Sequence, residues 1–272
     1  MNLLIIIRGG GDLASGVALR LHRAGFEVVI LELEKPLAVR RTVAFSEAVY
    51  EGTQTVEGVT SRLVSPDQLQ VSLEAGEIPV LIDPNANILK NQFLTSPQFT
   101  FLVDARLLKT SPEALGTDIP LHIGLGPGFT AGENCHAVIE TRRGHTLGRV
   151  YWEGASLPDS GHPDGDPQRV LRATQNGVIS NHAAIGDQLK AGQRIAEIQS
   201  EDVEHKSEIL SPFAGVLRGL LRPGFEVTEG MKIGDVDAHN ESSACFMVSD
   251  KALAVGGGVV EAVMVKLQQL EI

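Results

Sequence analysis

Two hundred and seventy-two residues suffice for one large domain or two modest ones of about 150 residues each, which excludes a marginal mini-protein. With 43% apolar and 21% charged residues the composition is globular, far from disordered or collagen-like extremes. Lys and Arg number 23 against 34 Asp and Glu, a formal charge of −11 that disfavours nucleic acid as a partner.

Met1 to Ile7 is apolar, has no basic lead-in and is too short to cross a bilayer, so it reads as a buried strand, with no secretion signal. The LLIII of Leu3 to Ile7 suits a strand covered on both faces. Leu13 to Ala24 places apolar residues at helical spacing, with Gly25 as C-cap, and EVVILEL over Glu27 to Leu33 is a second strand. Strand, glycine turn, helix and strand make a parallel βαβ unit. Further strands are predicted at Ile78 to Ile82, stopping at Asp83; Thr100 to Val103, stopping at Asp104; Pro120 to Leu125, stopping in a glycine loop; and His136 to Glu140. Ligands gather at the carboxyl ends of such strands, so the stop residues are where chemistry is sought. DSGHPDGDP, Asp159 to Pro167, marks a domain boundary.

Beyond it the chain repeats itself at an offset of 38: GVI at Gly177 to Ile179 recurs as GVL at Gly215 to Leu217, and IGDQLKAGQRIAEI from Ile185 recurs as PGFEVTEGMKIGDV from Pro223. Two related β layers closing into a small sandwich follow, similar to the biotinyl and lipoyl carrier fold. GGGVVEAVMVKLQQL, Gly256 to Leu270, is an apolar-sided helix. The expected architecture is α/β: a Rossmann-like parallel sheet domain over 1–165, an inserted barrel-sandwich hybrid over 166–239, and a segment over 240–272 whose helix returns to the first domain.

Gly9, Gly11 and Ala14 fit G-x-G-x-x-A between strand and helix, where backbone N–H groups hold phosphate, and Glu32 stands where a carboxylate reaches a ribose. Asp12 opposes that, as a carboxylate beside the anion. The loop GLGPGFTAG offers a second anion nest through Gly126, Gly128, Thr130 and Gly132. Arg142, Arg143 and His145 in ETRRGHTLGRV gather positive charge for a phosphate clamp or for acid–base work, or form a solvated loop paired to Glu140 or Glu153. Arg40 and Arg41 repeat that ambiguity on a smaller scale. Asp83 and Asp104 read as turn or cap residues. Cys135 and Cys245 are too few for a disulfide framework or a four-cysteine zinc site, which suits free thiols in the cytoplasm, and each reads first as a small buried hydrophobe. No protein-bound metal is expected.

RGGGDLASGVALRLHRAGF, LEKPLAVRRTVAFSEAVYEG, GLGPGFTAG, ETRRGHTLGRV, KIGDVDA and SDKALAVGGGVVEA together resemble the YqeB family, accessory proteins of the selenium-dependent molybdenum hydroxylase system, more distantly grouped with xanthine dehydrogenase accessory factors. The resemblance implies a maturation role with the hydroxylase apoenzyme or its cofactor as partner. Its phosphate-bearing ligand, molybdopterin cytosine dinucleotide or another nucleotide, suits the two glycine sites and the Arg cluster. A homo-oligomer is expected. One alternative is an NAD(P)-dependent oxidoreductase using the first turn, which lacks an evident hydride-site acid. The other is a biotinyl or lipoyl carrier, disfavoured because the position eight before Pro212 is Glu204, and Lys206 lacks the flanking carrier pattern.

Overall fold

The computed structural model describes residues 3–90, 99–116, 118–161, 166–200 and 206–271. The chain divides into two compact units: Met1–Pro36, Ala44–Ser160 and Val248–Ile272 form the first, Leu37–Val43 and Gly161–Met247 the second. The expected carrier tip at Glu204 and the middle of the 159–167 boundary lie outside the described residues. Among the described residues no helix is long and apolar enough to cross a membrane.

The first unit runs through β1 (Leu3–Arg8), α1 (Asp12–Arg23), β2 (Glu27–Glu32), α2 (Ala48–Glu51), β3 (Thr53–Val56), β4 (Val59–Leu63), α3 (Leu69–Glu74), β5 (Ile78–Ile82), β6 (Phe99–Asp104), β7 (Leu121–Leu125), β8 (Thr130–Ala131), β9 (Ala137–Ile139), β10 (Val150–Tyr151) and β11 (Gly154–Ala155), and closes on α4 (Asp250–Gln269). Its main sheet has the order β10-β9-β7-β6-β1-β2-β5-β4-β3. The inner pairs are parallel, while β3 and β10 are antiparallel edges. Ile5, Ile6 and Ile7 are fully buried at its centre, each side chain stabilising the fold by roughly 1.5–3 kcal/mol. α1 meets α4 at backbone distance: a Cβ on Gly16 would stand 2.6 Å from the Cβ of Ala252. α4 starts six residues before its expected first residue, because Ser249 caps it by accepting the Ala252 N–H at 3.1 Å.

The second unit carries β12 (Val170–Arg172), β13 (Gly177–Asn181), β14 (Gln188–Leu189), β15 (Arg194–Gln199), β16 (Lys206–Leu210), β17 (Gly215–Leu220), β18 (Glu226–Val227) and β19 (Lys232–Asp237) in two antiparallel sheets, β12-β19-β17-β14 and β16-β15-β13-β18. The repeat read from sequence governs them position for position. β13, β14 and β15 recur as β17, β18 and β19, and the paired turn glycines Gly186 and Gly224, then Gly192 and Gly230, all have positive φ. Each short strand pairs with the other repeat, β14 with β17 and β18 with β13. Ile179, Ile198, Leu217 and Val236 form the core between them.

The expected Rossmann-like domain with an inserted barrel-sandwich hybrid is corrected by these observations. The large sheet is mixed, and among the described residues only the β1–β2 crossover is a helix of more than two turns. Among the described residues the connection from β6 to β7 has no helix, since Pro112, Gly116 and Pro120 punctuate it and leave no run for a helical face. The second unit is no simple insertion either, because Leu37–Val43 belongs to it: a Cβ on Gly219 would lie 2.8 Å from Val39, whose carbonyl accepts the Leu220 N–H at 2.9 Å.

Candidate functional site

The carboxyl ends of β1, β6, β7 and β9 share one edge of the large sheet. At the end of β1, Gly9 adopts φ +92° and its N–H donates to the Leu31 carbonyl at 2.8 Å. The Gly10 N–H donates to Glu32 Oε2 at 2.6 Å and the Leu33 N–H to Oε1 at 2.7 Å. Burial pushes the Glu32 carboxyl up, and these two N–H donors pull it back. Glu32 therefore holds the turn itself together. Ala14 is buried, and a Cβ on Gly10 would press on Ser46 N at 2.9 Å. Gly11 differs: it is the N-cap of α1 without a side-chain cap, and a Cβ there would meet nothing within 4 Å.

The second glycine loop is occupied from within. Gly128 N–H donates to the Leu108 carbonyl at 2.8 Å, Thr130 N–H to Asn134 Oδ1 at 2.9 Å and Gly132 N–H to the Cys135 carbonyl at 3.0 Å. A Cβ on Gly128 would lie 2.4 Å from the Thr110 carbonyl oxygen, and one on Gly124 would lie 2.1 Å from the ring of Phe129. Gly126, at φ +96°, faces Thr141 and Leu107. These glycines answer to close packing, and the amides of Gly128, Thr130 and Gly132 are already satisfied. The chain leaving β6 touches both bends, since Ala105 also lies against Gly9.

In the third expected group Arg142 and His145 are exposed, and Arg143 forms a two-point ion pair with Asp250 at 2.7 and 2.8 Å. Glu140 is fully buried and accepts the Arg142 and Leu157 N–H groups, a fold-holding role. In the second unit Arg40 and Arg41 donate to backbone carbonyls, of Ala244 and Met247 and of Leu220 respectively. Asp83 caps a turn through the Asn87 and Ile88 N–H groups.

A different set of residues converges where β1 and β6 end. Arg8 and Asp104 are buried and 3.5 Å apart, Arg106 grips Asp104 at 2.7 Å, and Glu113 accepts from Arg8 at 2.8 Å and Arg106 at 2.9 Å. Two cations and two carboxylates compensate one another. Although burial works against it, hydrogen bonds from Arg106 and Arg8 hold the Glu113 carboxyl at about 2. Glu113 stands at one wall of a cleft of about 750 Å³ that is also lined by Asp118, His122, Cys135, His136 and Trp152.

His122 lines this cleft and is 5% exposed, its ring edge-on to Phe129 at 6.0 Å and 87°. Its backbone N–H donates to His136 Nδ1 at 2.9 Å, which assigns the His136 ring proton to Nε2 when that imidazole is neutral. His122 Nε2 is buried with no hydrogen-bond partner. Burial drives its pKa down to about 4, against the pull of Asp104, so it is neutral at pH 7. Burial also pushes the Cys135 thiol up to about 11, which makes it a packing residue. Cys245 is pushed up by burial too, and its thiol donates to the Leu217 carbonyl. Among the described residues no group of three or more His, Cys, Asp or Glu is arranged to hold a metal ion. Sequence reasoning passed over Arg8, Arg106, Glu113 and His122. The signal available was an imidazole inside the apolar strand LHIGL.

No protein-family model matches the chain. It is 46% identical over 271 residues to the uncharacterized protein YqeB of Escherichia coli K12, a span that covers 98% of this chain and 48% of that protein. The chain is thus a homologue of YqeB and spans about half the length of this curated relative, which supports the YqeB family. Solved structures with weaker likeness include a product-bound ectoine utilization protein from Ruegeria pomeroyi, 10% identical with a TM-score of 0.26, covering 86% of this chain and 57% of that one. A succinylglutamate desuccinylase/aspartoacylase from Rhodobacter sphaeroides is 11% identical with a TM-score of 0.29, covering 88% and 86%.

Proposed function

We propose that this chain is the ligand-holding part of an accessory protein that matures a selenium-dependent molybdenum hydroxylase, with a molybdopterin-type or other nucleotide ligand as its cargo and the hydroxylase apoenzyme as its partner. The observation that carries the reading is the cleft whose wall includes His122, a buried side chain whose Nε2 has no hydrogen-bond partner. Its volume of about 750 Å³ suits a cofactor-sized ligand, and a buried nitrogen without a partner marks a place where a ligand group completes the hydrogen bonding. The maturation role comes from the resemblance to the YqeB family.

The residues fit such a ligand unevenly. A heterocycle suits the cleft, whereas a diphosphate meets carboxylates there and already-bonded amides in the second glycine loop. The start of α1, where Gly11 faces open space, is the part of the expected phosphate site that stays accessible.

Thermal shift against molybdopterin cytosine dinucleotide, CTP, ATP and NAD tests the reading. A ligand at a hundredfold excess over its Kd adds about 2.7 kcal/mol, a rise of roughly 5 °C or more in a unit of this size. Stabilisation by the molybdopterin dinucleotide is expected. Stabilisation by NAD alone, with measurable hydride exchange, would replace the reading with an oxidoreductase.

A further inference from the structure

We infer that the cleft beside β7 reads the amine-bearing edge of an uncharged planar heterocycle and excludes phosphate, an inference that rests on the proposal that this cleft holds a small molecule. Three features converge on it. Glu113, Asp118 and Glu133 line the cleft, and among the described residues no Lys or Arg does. Arg8 and Arg106, whose charges reach His122, are matched by Asp104 and Glu113, and the other cation acting on the cleft wall is Lys266, close to His136. His122 is neutral and adds no charge to attract an anion. The cleft therefore repels phosphate and welcomes N–H donors.

The second feature is the orphan nitrogen. His122 Nε2 is shielded from solvent, and its ring is set edge-on against Phe129. A buried polar atom without a partner destabilises a fold, and His122 is a residue of the cleft wall, so the unmet hydrogen bond points to a group that arrives from outside. The third is Trp152, which is 38% exposed and lines the same cleft with Leu115 and Ile119. An indole beside aliphatic side chains gives a flat heterocycle a stacking surface, while the carboxylates accept from its amine.

Calorimetric titration with guanosine, inosine and pyrophosphate separates the alternatives, since inosine differs from guanosine by the loss of the exocyclic amine. Guanosine is expected to bind, inosine at least tenfold more weakly, and pyrophosphate not to compete. His122→Phe keeps the ring shape and removes the orphan nitrogen; it is expected to weaken guanosine at least tenfold while the Tm stays or rises. Asp118→Asn combined with Glu133→Gln, at exposed side chains, is expected to weaken guanosine as well, which keeps the test open if His122→Phe fails to fold. Equal affinity for guanosine and inosine, or pyrophosphate competing with guanosine, overturns the inference and leaves the small-molecule reading standing. If no nucleoside binds but the molybdopterin dinucleotide stabilises the protein, the inference falls alone; if nothing binds, both fall.

Discussion

The two glycine-rich bends at the carboxyl edge of the large sheet look alike on paper and differ in three dimensions. In the turn after β1, Gly11 opens onto free space at the start of α1, whereas in the loop after β7 the amides of Gly128, Thr130 and Gly132 are bonded to the protein's own oxygens. Glycines in the second loop make room for the carbonyls of Leu108 and Thr110 and for the ring of Phe129. The lesson is that a run of glycines reports close approach, and only the acceptors around it decide whether a ligand or the chain itself is what approaches.

The segment leaving β6 touches both bends, so loosening its anchor gives the largest effect. Asp104→Asn removes the buried partner of Arg8 and Arg106 and is expected to cost about 3–5 kcal/mol in urea unfolding; a loss below about 1 kcal/mol would mean that the ion network anchors nothing. The next effect is an acid dependence with two successive, overlapping windows. Unfolded His122 takes a proton near 6.5 and the folded residue refuses it until about 4, so stability falls as pH drops through that interval, by up to about 3 kcal/mol, and His122→Phe flattens it. Glu113 acts lower: its folded pKa of about 2 lies below the ordinary 4.5, so its contribution is present above 4.5 and is lost as pH falls toward 2.

Smaller effects set the two bends against each other directly. Gly128→Ala forces a Cβ against backbone oxygens and is expected to cost about 1–3 kcal/mol. Gly11→Ser meets no neighbour and supplies a better N-cap, so stability should change by at most about 0.5 kcal/mol. Comparable losses at the two positions in parallel chemical denaturations would erase the distinction between the bends.

Much of the scaffold was legible. LLIII and EVVILEL announced β1 and β2, and the offset of 38 between repeats extends to the bounds of β14 and β18 and of β15 and β19. The crossovers were not legible, because a parallel strand order suggests helices between strands while the prolines and glycine of 105–120 forbid one there. Glu32 is expected from its spacing to reach a ribose, and it accepts the Gly10 N–H; where β2 places the carboxylate is something its spacing from Gly11 does not encode. The cleft and the ion network beside it were hidden for a similar reason: Arg8, Asp104, Glu113 and His122 are scattered over more than a hundred positions and meet only when β1, β6 and β7 pair.

Ring-nitrogen resonances of His122, followed by NMR on histidine-labelled protein during titration with guanosine, address the claim about the cleft most directly. A saturable shift of Nε2, lost in Asp118→Asn combined with Glu133→Gln, is the predicted result. A His122 signal that stays fixed while guanosine binding moves resonances elsewhere in the protein would contradict it.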